Sequence, residues 1–585
     1  MQLLKTHALP LVQAALRSIG GDPSLVERVL QPAREADQGD LSLPCFPFAK
    51  SLGKSPVTIA EDLCSAMASH ESIGEIHAVN GYLNIRVNPV WLAQRLLTQG
   101  IDNGCEKNAR RVLIEHTSAN PNGPFHVGRA RNAILGDTLV RLQRLWGNDV
   151  TAEYYVDDMG KQVAVLAWAL EALNRDEVET LLEDREAPNP MWASKPDHQR
   201  VRWYQAAQRL RKESDDAPEI ERAIGELVHA SENGDEGVLE QFEAAYQPVL
   251  DGMLATLGRL GIAYDRFTKE SVFVTNGDVA ALMEELGALE INGHAENGAQ
   301  YLDLGQRGLK GKTEFFYRRG DGSSLYATRD IAYHRWKWTQ CNELINVLGE
   351  DHKLQAQQVG LTLEELGARR PEVMFYSFIK LPEGKMSTRQ GNVVFMDDLL
   401  EEAKAQAAAV VTERRPEYDM ETVATIAEAV GTSAVRFNIV NVSPEKGFTF
   451  RWEDALSFEA GSAPFVMYSH TRACSIRAKV LQQLNGAKPP TSYEIAESMP
   501  EGLVQLLRTL ALHDDGLEKV IREHRPHLYA EYILHLSNAY NGFYRDCHVL
   551  EEDGVNAFYF AVSELARSTL KSGMEALGIQ PLETM

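Results

Sequence analysis

The sequence predicts an α/β protein. A parallel sheet of the nucleotide-binding type is split by a helical insertion, with a small α/β unit before it and an all-helical region behind. Three observations predict this. Residues 111 to 160 read as strand, helix, strand. Strand-like runs then return only after an acidic, helix-rich stretch at about 170 to 300. From about residue 397 the chain reads as mostly helical to its end. At 585 residues it is too long for one core, so several domains are expected.

Taken in order, the first unit runs from residue 1 to about 105. Leu11, Ala14, Ala15 and Ile19 recur at helical spacing. Gly39-Asp40-Leu41-Ser42-Leu43-Pro44 and a helical Ala-Lys stretch follow. Alternation in Gly81-Tyr82-Leu83-Asn84-Ile85-Arg86-Val87 suggests a strand. Polar Asp102 to Asn108 reads as a linker. In the second unit Val112-Leu113-Ile114 is a short apolar run, and Leu135, Leu139, Leu142 and Trp146 repeat at helical spacing. Gly147-Asn148 can end that helix. Val150, Ala152, Tyr154 and Val156 then alternate as a strand. A helix between two strands implies parallel strands joined by a crossover. Later strand-like runs are Phe315-Phe316-Tyr317, Leu325-Tyr326-Ala327, Leu344 to Leu348 and Met374 to Leu381. Residues 106–395 are therefore expected to be the sheet domain, 396–455 a helical connector and 456–585 a helical domain, with Pro489-Pro490-Thr491-Ser492 as a loop inside it.

Composition narrows the function classes. The 44% hydrophobic and 24% charged content is that of a soluble globular protein. No apolar run reaches the roughly 18 residues that span a bilayer, and Met1 to Ala15 lacks a signal-peptide pattern. Six scattered Cys, without a Cys-x-x-Cys pair, argue against a zinc ribbon or a disulfide framework and fit a reducing cytoplasm. The net charge of −24 disfavours a nucleic-acid partner unless Lys and Arg gather on one face.

Two segments carry the chemistry. Asn120-Pro121-Asn122-Gly123-Pro124-Phe125-His126-Val127-Gly128-Arg129 joins a strand to a helix at the carboxyl edge of the expected sheet. Backbone N–H groups at the helix start can face a phosphate. Gly128 would let an adenine ring lie close to the backbone, His126 can donate to a phosphate oxygen, and Arg129 adds a fixed charge. The second segment is Glu383-Gly384-Lys385-Met386-Ser387-Thr388-Arg389-Gln390-Gly391. Its glycines permit closure, and Lys385 and Arg389 can stabilise charge developing on pyrophosphate. Gly308-Leu309-Lys310-Gly311-Lys312-Thr313 is not a Walker loop, because Gln306 stands where that motif needs Gly.

A His-x-Gly turn and a Lys-Met-Ser loop in this order resemble the ATP site of a class I aminoacyl-tRNA synthetase. Further segments narrow the resemblance to the arginyl-tRNA synthetase family over nearly the whole chain. They are Gly39-Asp40, Gly81-Tyr82-Leu83-Asn84, Glu115-His116-Thr117-Ser118-Ala119-Asn120-Pro121, Tyr326-Ala327-Thr328-Arg329-Asp330, Gly349-Glu350-Asp351-His352, Tyr468-Ser469-His470-Thr471-Arg472-Ala473, Leu577-Gly578-Ile579 and the final Met585. The resemblance implies a class I synthetase Rossmann-like sheet, an N-terminal additional domain that contacts tRNA, and a C-terminal anticodon-binding domain. It implies that Glu115 and Asn120 hold the α-amino end of arginine, that Tyr326 and Asp330 hold the guanidinium, and that His352 also contacts arginine. A carboxylate suits that role, offering a planar, bidentate partner, and an aromatic ring can stack beside it. His126, Gly128, Lys385, Met386 and Ser387 match the ATP site, with Gly349 and Asp351 near the ribose. Two departures stand out: Arg129 replaces the usual second His, and Thr388 replaces the usual second loop Lys, with Arg389 one place later. The compensating Lys seen in relatives with a degenerate loop is Gly123 here.

The reading is arginine activation by ATP with Mg²⁺, followed by transfer to tRNA(Arg), with adenylate formation dependent on tRNA. A cytoplasmic monomer without a membrane partner is expected. One rival is a synthetase for another amino acid, disfavoured by Asp330 and Glu115. The other is a non-catalytic RNA-binding paralogue, disfavoured by His126, Gly128, Lys385 and Ser387 occurring together.

Overall fold

The computed structural model describes residues 2–33, 38–101, 109–185, 189–380, 394–457, 459, 461–552 and 554–585. Five strands form its central sheet: β1 (Arg111–Glu115), β2 (Asp149–Val156), β3 (Arg266–Lys269), β4 (Glu343–Gly349) and β5 (Glu372–Tyr376). Their order is β5-β4-β1-β2-β3, and every pairing is parallel. Val112, Leu113 and Ile114 are buried, which is why β1 reads as an unbroken apolar run rather than an alternating one. The chain leaves β1 towards β2 and β3 on one side, while β4 and β5 lie on the other. The strand order therefore reverses between β1 and β4, where such sheets open a crevice at their carboxyl ends.

The helix Val127–Trp146 packs across this sheet with its apolar residues from Val127 to Leu142 buried. It stops at Gly147, whose left-handed φ of 101° lets its N–H reach the carbonyls of Arg144 and Gln143. In front of the sheet domain, the strands Gln31–Pro32, Leu41–Pro44, Tyr82–Val87 and Ile73–Val79 pair antiparallel in that order, with helices around them. Behind it, helices such as Met420–Val440, Ala463–Gln483, His527–Asp546 and Ala557–Ala576 build the C-terminal region. By length and composition alone Met420–Val440 is apolar enough to cross a membrane. Most of it is buried inside the protein, and its Arg436 is ion-paired with Asp137 of Val127–Trp146.

Three expectations change. The stretch at 170 to 300 is not wholly an insertion, since residues 266–269 are the edge strand β3. Phe315 to Tyr317 do form a strand, Glu314–Arg318, but it lies in a separate three-stranded antiparallel sheet. Leu325-Tyr326-Ala327 is no strand: Leu325 caps the helix Tyr326–Gln340. A short apolar run does not distinguish strand from helix. The linker Asp102 to Asn108 lies outside the described residues.

Candidate active site

The carboxyl end of β1 is built under strain. Thr117 and Ser118 take left-handed φ values of 70° and 40°, costly for a β-branched residue. Their surroundings over-determine the turn. The Thr117 N–H donates to Asn132 Oδ1 at 2.6 Å, and Asn132 Nδ2 donates to the Val347 carbonyl of β4 at 2.9 Å. Tyr264 Oη donates to Thr117 Oγ1 at 2.6 Å, and the Tyr155 N–H donates to Ser118 Oγ at 3.1 Å. This turn holds Glu115 against the crevice. Ser118 Oγ donates to its Oε1 at 3.2 Å, and Lys337 Nζ donates to its Oε2 at 2.6 Å.

Facing Glu115 is the helix Tyr326–Gln340. Tyr326 and Asp330 are four residues apart and so share a face. Tyr326 sits at the helix start with its ring about half exposed and stacked on the buried Arg329 guanidinium, 4.5 Å from the ring centre. Arg329 is fixed in turn by Glu270 and Glu232. Asp330 accepts from His334 Nδ1 at 3.0 Å. Burial would raise the Asp330 carboxyl, but His334, Lys337 and His352 outweigh it and hold the group below its ordinary value. Asn120 donates to Asp157 Oδ2 at 3.1 Å and to Gln162 Oε1 at 3.2 Å. The Lys161 N–H that follows Gly160 points at Tyr326 Oη, 3.4 Å away. Glu115, Asn120, Tyr326 and Asp330 thus come together on one acidic, aromatic-walled side of the crevice.

The other side is the start of Val127–Trp146. His126 caps this helix with extended backbone and no side-chain capping bond, so its ring is free for another partner among the described residues. Burial, and then the charge of Arg129, push its imidazole down to about 4, leaving it neutral near pH 7 with one N–H to donate. A Cβ on Gly128 would lie 3.1 Å from His126 Nδ1 and 3.2 Å from Cε1. Glycine there lets the ring fold over the first helical turn. Gly349, at the end of β4, has the same use: a Cβ would meet Asp351 Oδ1 at 2.4 Å. Asp351 and His352 stand exposed at the crevice rim, and His352 Nδ1 lies 3.2 Å from Gln355 Oε1.

Lys385, Met386, Ser387 and Arg389 lie outside the described residues. The chain on either side of them is described. Ile379–Lys380 pairs with Phe448–Thr449. Val394 accepts from the Val127 N–H at 3.0 Å, and the Met396 N–H donates to Phe125 at 2.7 Å. The described chain from Val394 onward therefore pairs directly with the His126 turn. The position before that turn is closed, because a Cβ on Gly123 would lie 2.6 Å from Val201 Cγ2. A compensating Lys does not fit there without a shift.

Sequence reasoning missed Ser118, Asp157, Gln162, His334 and Lys337. The last two were legible as a stripe: Tyr326, Asp330, His334 and Lys337 follow helical spacing along one face, an unusual run of polar groups for a helix packed on a sheet. Asp157 and Gln162 follow the carboxyl end of β2, a place where parallel sheets gather ligand-binding groups.

Comparison with known proteins covers nearly the whole chain. The family model for the catalytic domain of class I (R) tRNA synthetases matches residues 92–452. A DALR anticodon binding domain matches 466–585, and an arginyl tRNA synthetase N-terminal domain matches 7–87. An arginine–tRNA ligase of Methanocella arvoryzae is 40% identical, with 96% of each chain covered. That of Methanosarcina mazei is 36% identical over 100% of this chain and 99% of its own. Among solved structures, the arginyl-tRNA synthetase of Thermus thermophilus superposes with a TM-score of 0.79 at 25% identity, covering 99% of this chain and 100% of its own. The Plasmodium falciparum enzyme shares the fold at 17% identity, with a TM-score of 0.75 and 99% of each chain covered.

Proposed function

The chain belongs to the arginyl-tRNA synthetase family, and we infer that its crevice activates L-arginine with ATP and passes it to tRNA(Arg). It is an arginine–tRNA ligase. An oxygen of the arginine carboxylate attacks the α-phosphorus of ATP, and the bond to pyrophosphate breaks. The 3′-terminal ribose hydroxyl of the tRNA then attacks the arginyl carbonyl, AMP leaves, and the hydroxyl proton is released. Neither step needs a protein nucleophile, so the site works by positioning and charge stabilisation.

The observation that carries the assignment of sides is the arrangement at the switch point. A carboxylate and an aromatic ring on one helix, Asp330 and Tyr326, face a helix N-terminus carrying His126 and Gly128 across the ends of β1 and β4. In this reading Asp330 pairs with the guanidinium and Tyr326 stacks on it. Glu115, Asn120 and His352 complete the arginine side, with Asp157 and Gln162 holding Asn120. His126 donates to a phosphate, Gly128 lies under the adenine, Gly349 and Asp351 border the ribose, and Arg129 adds charge. Lys385, Met386, Ser387 and Arg389 close over the phosphates. Mg²⁺ would come with ATP and would offset charge on its phosphates.

The same proposal includes the division of the chain at about 105, 395 and 455, a monomeric cytoplasmic enzyme without a membrane partner, and adenylate formation that waits for tRNA. Arginine-dependent exchange of pyrophosphate into ATP tests it. Exchange should need arginine, Mg²⁺ and tRNA(Arg) together. Exchange driven by another amino acid and not by arginine would sink the assignment, and exchange without tRNA would remove the tRNA requirement alone.

A further inference from the structure

Lys337 is a fully buried ammonium beside the arginine side of the crevice, with a side-chain exposure of 0%. Such a charge is tolerated only when its donors are met. They are: Glu115 Oε2 lies at 2.6 Å, Asn346 Oδ1 at 3.2 Å and His334 Nε2 at 3.2 Å, and the Tyr333 ring centre is 4.1 Å away. The network also fixes its other members. Asn346 Oδ1 accepts from Lys337, so its Nδ2 is the group 2.7 Å from His334 Nε2. With two donors aimed at Nε2, that nitrogen is the acceptor and Nδ1 carries the proton. His334 donates from Nδ1 to Asp330, to Oδ1 at 3.0 Å and to the backbone carbonyl at 2.8 Å. One connected path runs from Glu115 through Lys337, Asn346 and His334 to Asp330.

We propose that Lys337 is a positioning residue that sets the charge of the arginine pocket. It holds the Glu115 carboxylate of β1 back against the helix, and through Asn346 and His334 it aims the Asp330 carboxylate at the substrate. Within this network, two carboxylates against one ammonium leave a single net negative charge. The plainer alternative is a buried cross-link between the helix and β1 with no bearing on substrate. This proposal rests on the arginine side of the crevice being assigned correctly.

Removing the ammonium separates the two. Without it, Glu115 has no direct cationic partner among the described residues. The groups around it are Tyr333 on the helix, Tyr155 and Glu153 on β2 (the latter tied to Arg266) and buried His116 next to it. None supplies a direct positive partner, so its carboxyl should take up a proton. Full-length enzyme carrying Lys337→Met should then show an arginine KM raised at least tenfold at pH 6.5 and falling as pH rises to 8.5. The ATP KM should stay within twofold, and the wild-type arginine KM should vary little over that range. Lys337→Gln keeps a donor and similar length without charge. It should show the same new pH slope, and it serves if the methionine variant fails to fold. An arginine KM within twofold of wild type with no new slope would overturn the proposal. So would arginine and ATP KM values rising together in step with a lowered melting temperature. A wild-type enzyme that fails to charge tRNA with arginine would instead overturn the functional reading beneath it.

Discussion

Single side chains already set the chemistry. Asp330 is ionised through neutral and mildly acid pH because His334, Lys337 and His352 outweigh its burial. Asp330→Asn keeps the shape and removes the charge. It should raise the arginine KM by about 3 kcal/mol of lost pairing, roughly a hundredfold, while the ATP KM holds. Steady-state charging with each substrate varied in turn measures this, and an unchanged arginine KM would make Asp330 a structural residue only. His126 differs in kind. Held down to about 4 by burial and by Arg129, it is neutral throughout the working range and can serve as a donor but not as a charge. His126→Ala should slow adenylate formation on the order of 10²–10³, with no loss of tRNA binding in a filter assay.

At the scale of elements, turns aim helices and strands. The strained Thr117-Ser118 turn ends β1, and Asn132 ties it both to the first helix of the sheet domain and to β4. On that helix Gly128 leaves room for the His126 ring. Gly128→Ala should push the ring out of place and lower the rate of adenylate formation by roughly ten- to a hundredfold, as misplacement of a positioned group does. The melting temperature should barely change, since the backbone there has an ordinary negative φ. An unimpaired variant would show that the ring has no fixed working position. The β-α-β unit, the helix stop at Gly147 and the end of β4 were legible in the sequence because apolar period and glycine placement follow from local geometry. The helix at Tyr326 was not, because three apolar residues fit either period. Edge strand β3 was hidden because four residues, Arg266–Lys269, carry too little alternation to stand out from helical surroundings. The candidate site residues quoted from motifs could be named beforehand. The buried partners that tune them, His334, Asn346 and Lys337, come from two elements and meet only in three dimensions.

Across the whole molecule, one buried guanidinium joins regions far apart in sequence. Arg436 of Met420–Val440 donates to Asp137 Oδ2 on Val127–Trp146 at 2.6 Å, to the Leu260 carbonyl at 2.6 Å and to the Leu577 carbonyl at 3.3 Å. Gly578 comes next with a φ of 70°, and a Cβ there would lie 2.1 Å from Arg436 Cζ. The chain then stays docked: the Gln580 N–H donates to Ser433 Oγ at 3.1 Å, and the Leu582 carbonyl accepts from His470 Nδ1 at 3.0 Å. Sheet domain, insertion and C-terminal helices are thus fastened at one point, and the region matched to anticodon binding ends on the helix that packs beneath the crevice. Arg436→Met removes the fastener and leaves Asp137 with Arg141 as its ion-pair partner among the described residues. Breaking a buried pair of this kind costs on the order of 3 kcal/mol, and the loss should fall on the coupling between regions. Calorimetry should show the C-terminal helices melting at a lower temperature than the sheet domain, where the wild type unfolds them together. Gly578→Ala should act the same way from the other side, by strain and by crowding Arg436. A single, unshifted transition in both variants would mean that apolar packing alone holds the regions together, and that a signal from bound tRNA has to reach the crevice by another route.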